Sequence, residues 1–263
     1  MENFKFKKQY GQNFISDKNL LKAISCDANL SKNDVVLEIG PGKGTLTSCL
    51  AEVCKKVVAV EIDTTLQPFL KENLSMYDNV EVVFGDIMQM SKKDILGMVG
   101  NKYKIVANLP YYITTPILFK FLEDGAEVDS ITVMVQKEVA ERMCATNKDS
   151  NYGILSVMCN FYAKCEIKRI VDRKMFYPVP NVDSAIVKLD LYHNQNLDFS
   201  RKMYKVVQGC FAMKRKTLAN NLMHSFGMDR SRAESLIEKL GFIKTVRAEE
   251  LAVEHFEKLV NLI

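Results

Sequence analysis

Asn108-Leu109-Pro110-Tyr111 carries the most pointed chemistry in the chain. An amide side-chain carbonyl and a backbone carbonyl, held side by side, can accept both hydrogens of an exocyclic aromatic amine. Such an amine, as on adenine, is a poor nucleophile because its lone pair is delocalised into the ring. Two acceptors pull the nitrogen towards tetrahedral geometry and aim its lone pair. Positioning then supplies much of the rate, with no metal or charged base required. Pro110 stiffens the turn, and Tyr111 offers a flat face on which a base can stack.

A second set of residues suits a nucleoside. In Glu38-Ile39-Gly40-Pro41-Gly42-Lys43-Gly44 the glycines allow a sharp turn and a close backbone approach to a ligand. Glu61 stands 21 residues after Gly40, a spacing that suits an acid holding two ribose hydroxyls. Gly85-Asp86-Ile87 adds a carboxylate that can accept a hydrogen bond from an adenine amino group. Taken singly, the glycines can equally make a plain tight turn, and Asp86 a helix cap. Together they fit NAD or S-adenosylmethionine. NAD needs a pyrophosphate cradle, whereas S-adenosylmethionine has no phosphate and asks for an acid-rich crevice. The amine-aiming loop at Asn108 favours the methyl donor, and no hydride-transfer constellation accompanies it.

These residues need a scaffold that brings them together, and the hydrophobic pattern supplies one. Apolar strand-like runs at 35–39, 57–62, 80–84, 103–107 and 131–135 alternate with helical stretches at 45–53, 65–74, 115–123 and 137–144. That rhythm predicts a parallel sheet covered on both faces. The glycine turn, Asp86 and Asn108 each follow a strand and Glu61 ends one, so all would line the crevice at the strands' carboxyl ends. Residues 145–152 are polar and read as an exposed loop. A helix near 153–162 precedes two strands, near 165–172 and 182–191, expected to pair antiparallel. The segment 193–198 reads as a linker, after which apolar periodicity at 203–213, 231–240 and 249–262 predicts helices.

Composition narrows the class further. With 48% hydrophobic residues among 263, the chain can bury a substantial core. No run of eighteen apolar residues occurs, so no membrane helix is expected, and the first ten residues lack the apolar core of a secretory signal. Seven scattered cysteines without a CxxC pair, remote from the three histidines, predict reduced thiols and no metal site. The net charge is +4, and residues 196–263, with twelve Lys and Arg against eight Asp and Glu, hold the whole excess. Arg201, Lys202, Lys205, Lys214, Arg215 and Lys216 follow one another with no acid between them, and Lys5, Lys7 and Lys8 open the chain. Basic clusters at both ends suit a polyphosphate partner, although each alone is also what a solvated face looks like.

Several motifs, in this order, resemble the ribosomal RNA adenine N6,N6-dimethyltransferases, specifically the small-subunit (kasugamycin-sensitivity) branch. They are Gly11-Gln12-Asn13-Phe14-Ile15, Glu38 to Gly44, Glu61, Asp86, Asn108 to Tyr111, Phe176-Tyr177-Pro178-Val179-Pro180-Asn181-Val182-Asp183-Ser184, and the stretch from Lys214 to Leu222. The resemblance covers nearly the whole chain. It implies an α/β, Rossmann-like class I S-adenosylmethionine-dependent methyltransferase domain over 1–193, and a small all-helical RNA-binding domain over 194–263. It also implies residue roles. Asn13 and Ile15 would hold the cofactor from the N-terminal segment, Gly40 its methionine part, Glu61 its ribose and Asp86 its adenine. Asn108, which would also touch the cofactor, would bind the target amine together with the Leu109 carbonyl, on the turn stiffened by Pro110. Tyr111 and Phe176 would sandwich an adenine extruded from its stack. The implied substrate is small-subunit rRNA in a pre-ribosomal particle, dimethylated on two adjacent adenines near its 3′ end. The enzyme is expected to be a cytoplasmic monomer without metal. The basic helices would grip phosphates, adding affinity without reading sequence. Three positions depart from the family pattern: Ile15 for Leu, Lys43 for an apolar residue and Tyr112 for Asn. Two alternatives stay open: a large-subunit rRNA methylase conferring macrolide resistance, and a non-catalytic rRNA-binding assembly factor.

Overall fold

The computed structural model describes residues 14–15, 17–123, 127–193 and 196–263. They group into two compact units, one drawn from 1–140 and 164–193, the other from 141–163 and 194–263.

The first unit is built on a seven-stranded sheet. Its strands are β2 (Val35–Ile39), β3 (Lys56–Glu61), β4 (Val80–Phe84), β5 (Tyr103–Asn108), β6 (Val128–Gln136), β7 (Ala163–Val171) and β9 (Ser184–Leu191). Their order is β4-β3-β2-β5-β6-β9-β7. β4, β3, β2, β5 and β6 run parallel to their neighbours, and β9 is antiparallel to β6. β7 and β9 are neighbours, as the sequence predicts for that pair. Two short strands, β1 (Phe14–Ile15) and β8 (Phe176–Tyr177), form a separate antiparallel pair with Ile15 opposite Phe176.

The strands form where β-branched and aliphatic residues run together, and helices follow at capping signals. α1 (Lys18–Asp27) starts at Asp17, whose carboxylate accepts from the backbone N–H groups of Asn19 and Leu20 at 2.7 and 3.0 Å. Its apolar face, with Leu21 and Ile24, packs with Leu46 and Leu50 of α2 (Thr45–Val53) into a core shared with Val36, Val57, Val106 and Phe176. α3 (Gln67–Asn73) places Leu70, with Leu66 and Leu74, in a second small cluster. α4 (Lys92–Val99) opens with a reciprocal Ser91–Asp94 capping box. α5 (Thr114–Glu123) follows β5, and α6 (Lys137–Cys144) follows β6.

The helical unit contains α7 (Ile154–Tyr162), α8 (Leu197–Cys210), α9 (Leu218–Phe226), α10 (Arg230–Lys239) and α11 (Val253–Leu262). Its aromatic centre is Phe256, fully buried and stacked on Phe211 with centroids 5.9 Å apart. Tyr152 meets Phe211 edge-on and donates its hydroxyl to the Leu251 carbonyl at 2.9 Å. Residues 141–163 therefore group with the C-terminal helices, whereas the boundary read from sequence assigns them to the first domain. The physical reason is their packing: α7 is apolar on nearly every side and touches α8 and α11.

α8 and α9 approach closely at Gly209. A Cβ there would lie 2.6 and 2.7 Å from two ring atoms of Phe226 and 3.1 Å from the Ser225 side chain. Gly209→Val is expected to destabilise the helical unit by about 1–3 kcal/mol through overpacking. Chemical denaturation followed by circular dichroism checks this, and unchanged stability would show that the helices part freely there.

Candidate active site

The crevice lies where the chain order reverses. β3 flanks β2 on one side and β5 on the other, so the loops leaving the carboxyl ends of β2 and β5 diverge and leave space between them. The cavity in that position is lined by Ile15, Gly40, Glu61, Asp86, Asn108, Leu109, Pro110 and Tyr111, among others. Residues from four strand ends and the N-terminal segment are thus brought together. Asn13 lies outside the described residues. Phe176 is not among the lining residues. It is 3% exposed and packed in the core opposite Ile15.

The glycine turn has the backbone its sequence requires. Gly40, Gly42 and Gly44 have φ of 70°, 61° and 82°, a region that L side chains rarely adopt. A Cβ on Gly40 would meet nothing within 4 Å, so open space lies beside that backbone. The turn is tied to β3: Gly40 N–H donates to the Val60 carbonyl at 2.9 Å, and Gly42 N–H to Glu61 Oε2 at 3.0 Å. Glu61 Oε1 accepts from Asp63 N–H at 2.9 Å. Burial raises the Glu61 pKa, and the hydrogen bonds from Asp63 and Gly42 oppose the rise.

Asp86 is half-buried, and its Oδ1 accepts from Met88 N–H at 2.9 Å. Oδ2 has no protein partner among the described residues. The carboxylate therefore shapes the turn after β4 and keeps one oxygen for a ligand. Asn108 ends β5, half-buried. The next residue, Leu109, is 1% exposed and donates its N–H to the Met134 carbonyl at 3.2 Å, which anchors the loop to β6. The Pro110 carbonyl accepts from Ile113 N–H and Thr114 Oγ1, both at 3.1 Å, so the loop winds directly into α5.

Tyr111 is fixed by a residue to which the sequence reading gave no role. Its hydroxyl lies 2.8 Å from the Oγ of Ser184, which is fully buried at the start of β9. Burial raises the Tyr111 pKa, so the phenol stays neutral. Ser184 closes the motif that begins at Phe176, so this hydrogen bond joins the two motifs.

Glu38 is a second residue to which the sequence motif, dominated by its glycines, assigns no role. It is 1% exposed, lines the same cavity, and its Oε2 has no hydrogen-bond partner. Burial pushes its pKa up to about 8; Thr47 beside it lowers it, and the nearby charge of Glu61 adds to the rise. Of the sequence departures, Lys43 extends its ammonium over the Phe69 ring, 5.3 Å from the centroid. Tyr112 lines the cavity and is 59% exposed.

Charge tests which nucleoside the cavity fits. Glu38, Glu61 and Asp86 line it, and no Lys, Arg or His does so among the described residues. That acidic lining repels a pyrophosphate. It fits ribose hydroxyls, an adenine amine and a cationic sulfonium, as S-adenosylmethionine requires. Among the described residues no group of His, Cys, Asp or Glu is arranged to hold a metal ion, and no helix is long and apolar enough to cross a membrane.

A family model described as ribosomal RNA adenine dimethylase matches residues 3–263. The chain belongs to that family. Similar relatives in this dimethylase family include the "Ribosomal RNA small subunit methyltransferase A" of Clostridioides difficile strain 630, 41% identical over 99% of this chain and 92% of the relative. The protein of the same name in Ligilactobacillus salivarius strain UCC118 is 44% identical over 98% of this chain and 90% of the relative. Among solved structures, a dimethyladenosine transferase from Plasmodium falciparum superposes with a TM-score of 0.79 at 28% identity, covering 94% of this chain and 95% of that one. The 23S rRNA methyltransferase ErmE does so at 0.73 and 28% identity, covering 95% and 99%. The seven-stranded, parallel-dominated sheet followed by C-terminal helices is thus the Rossmann-like methyltransferase fold of this dimethylase family.

The helical unit displays its basic residues. Arg201, Lys202 and Lys205 on α8 and Lys214, Arg215 and Lys216 in the following turn are all exposed. That turn is ordered from beneath by Asn221, 1% exposed, whose Oδ1 accepts from Met213 N–H at 2.7 Å. Thr217 caps α9 by accepting from Asn220 N–H.

Proposed function

We propose that this dimethylase transfers methyl groups from S-adenosylmethionine to the exocyclic amines of two adjacent adenines near the 3′ end of small-subunit rRNA. The product is N6,N6-dimethyladenosine, made during small-subunit biogenesis. The carrying observation is the convergence, at one switch point, of a cavity lined by acids, with no basic residue among the described ones, and the Asn108–Tyr111 loop. The small-subunit assignment draws on relatives that are 41–44% identical and carry that name, against 28% identity to ErmE.

S-adenosylmethionine, when bound, supplies an electrophilic methyl group on a sulfonium sulfur. Gly40 leaves room beside its backbone for the methionine part. Glu61 accepts from the ribose hydroxyls, and Asp86 from the adenine amine through its spare oxygen. Ile15 borders the cofactor from the N-terminal side, and Asn13 takes the cofactor-holding role that the family resemblance implies. Asn108 and the Leu109 carbonyl hold the target amine, Pro110 keeps their turn rigid, and Asn108 borders the cofactor as well. Tyr111, tethered by Ser184, stacks on the extruded base, with Phe176 as its proposed counterpart. Extrusion is needed because a stacked adenine hides its reacting nitrogen. Neither Asn108 nor a peptide carbonyl is basic enough to keep the proton shed by the methylated amine, so that proton passes to solvent. The exposed cations of α8 and of residues 214–216 neutralise rRNA phosphates. This proposal places the enzyme in the cytoplasm as a monomer acting on a pre-ribosomal particle.

A methyl-transfer assay with labelled S-adenosylmethionine tests the proposal, offering unmethylated small-subunit particles and, separately, protein-free large-subunit rRNA. Mass spectrometry of the digested nucleosides is expected to find dimethyladenosine from the small-subunit particles alone. Product only from large-subunit rRNA would assign the chain to the other branch. No product from either, with cofactor binding intact, would make it an assembly factor.

A further inference from the structure

Glu38 poses a question that the roles above leave unanswered. It sits at the penultimate position of β2 among the residues that line the cavity, 1% exposed, and its Oε2 is buried without a hydrogen-bond partner. Space-filling within a strand needs no carboxyl group, and a buried polar atom without a partner is costly. The groups around it offer no counter-charge. From β3 comes the buried carboxyl of Glu61, and after β4 the carboxylate of Asp86. From α2 come the hydroxyl of Thr47, whose Oγ1 also lacks a hydrogen-bond partner, and the thiol of Cys49, kept protonated chiefly by its burial. β1 and α1 contribute apolar Ile15 and Leu21 to the cavity wall, and the β5 loop the neutral Asn108. An ionised Glu38 would be an uncompensated buried charge beside a second carboxylate, and such a group resolves the conflict by holding its proton. A cation entering the cavity reverses the balance, because attraction across a low-dielectric site is strong.

We propose that Glu38 releases a proton when the sulfonium cofactor enters the cavity and takes one back once the uncharged thioether product has formed. The proposal rests on S-adenosylmethionine being the donor. Protons balance at each stage: the Glu38 carboxylic acid becomes carboxylate with one proton to solvent on binding, and solvent returns one when the positive charge on sulfur is gone. Cofactor and product differ by one methyl group and one positive charge, and little in shape. A carboxyl that ionises only against the charged form lets the cavity favour substrate over spent product. The sign of the pH dependence follows. Below pH about 8, free Glu38 is mostly protonated, so raising the pH favours the complex in which it is ionised; above that pH the dependence disappears.

Isothermal titration calorimetry of the full-length protein, in two buffers of different ionisation enthalpy, reads the proton count directly. At pH 7, S-adenosylmethionine is expected to release about 0.9 proton per molecule bound, and its Kd to fall roughly tenfold per pH unit below about 8. S-adenosylhomocysteine is expected to release none from Glu38, and Glu38→Gln to abolish the release on cofactor binding. Equal release with both ligands, or binding of both with no release, would overturn the coupling and leave the donor assignment standing. Undiminished release in Glu38→Gln would overturn it too. Binding of neither ligand would overturn the donor assignment itself, and the coupling with it. Should Glu38→Gln not fold, the two-ligand comparison on the unmodified protein decides alone.

Discussion

Asn108→Ala is expected to lower methyl transfer by about a thousandfold while changing the Kd for S-adenosylmethionine by no more than a few-fold. Removing one well-placed polar group aimed at a developing charge costs about that much in other enzymes. In the proposed mechanism the amide acts mainly on the nitrogen that reacts and only borders the cofactor. Asn108 lines one side of the cavity, and the cofactor contacts proposed above come chiefly from β2, β3 and the turn after β4. The fold around it survives the change, since Asn108 is half-buried at a strand end and the loop is anchored through the backbone of Leu109 and Pro110. Asn108→Asp sharpens the test. It keeps size and one acceptor but adds a negative charge beside Glu38, Glu61 and Asp86. If positioning of a neutral amine is the whole role, Asp retains more activity than Ala. Wild-type turnover by Asn108→Ala, measured with labelled donor, would remove the proposed mechanism.

The cavity was legible in the sequence because its parts are local. Each strand of the parallel sheet is a short apolar run, and each functional group follows its strand within a few residues, so fold and site emerge from one pattern. Where the signal is non-local it fades. α7 follows α6 closely in the chain, yet it groups with helices that begin more than thirty residues later; no periodicity reports which partner buries an apolar helix. α9 escaped notice because Asn220, Asn221 and Ser225 dilute its apolar stripe with poor helix formers. Asn221 is there to hold the preceding basic turn rather than to favour the helix. α1 and α4 carry their clearest signals in the caps at Asp17 and Ser91 rather than in a βα rhythm with the sheet. Ser184 and Glu38 went unassigned for different reasons. Ser184 gains its role from a partner 73 positions away. Glu38 reads as one acid in an apolar strand beside glycines that draw the attention.

Phe176 separates packing from recognition. Phe176→Ala is expected to destabilise the sheet-containing unit by about 3–5 kcal/mol, the usual cost of truncating a buried aromatic. The ring is 3% exposed and shares a core with Leu21, Val106 and Ile186. β8 also pairs with β1 so that Phe176 lies opposite Ile15, which lines the cofactor cavity. Loosening that pair opens the cofactor wall, so Ala should lower cofactor binding and transfer together. Phe176→Leu is the informative change, because it keeps most of the apolar volume and removes the aromatic face. Stacking of a base on an aromatic ring contributes about 1–3 kcal/mol. If the ring meets the extruded adenine, Leu should leave cofactor Kd near wild type and cut transfer by roughly 5- to 150-fold through that loss. A base can reach a ring this buried only if β8 shifts when RNA arrives, and the two-residue β1–β8 pairing is short enough to yield. Full transfer by Phe176→Leu would confine the residue to holding Ile15 in place and leave Tyr111, tied to Ser184, as the stacking face for the target base.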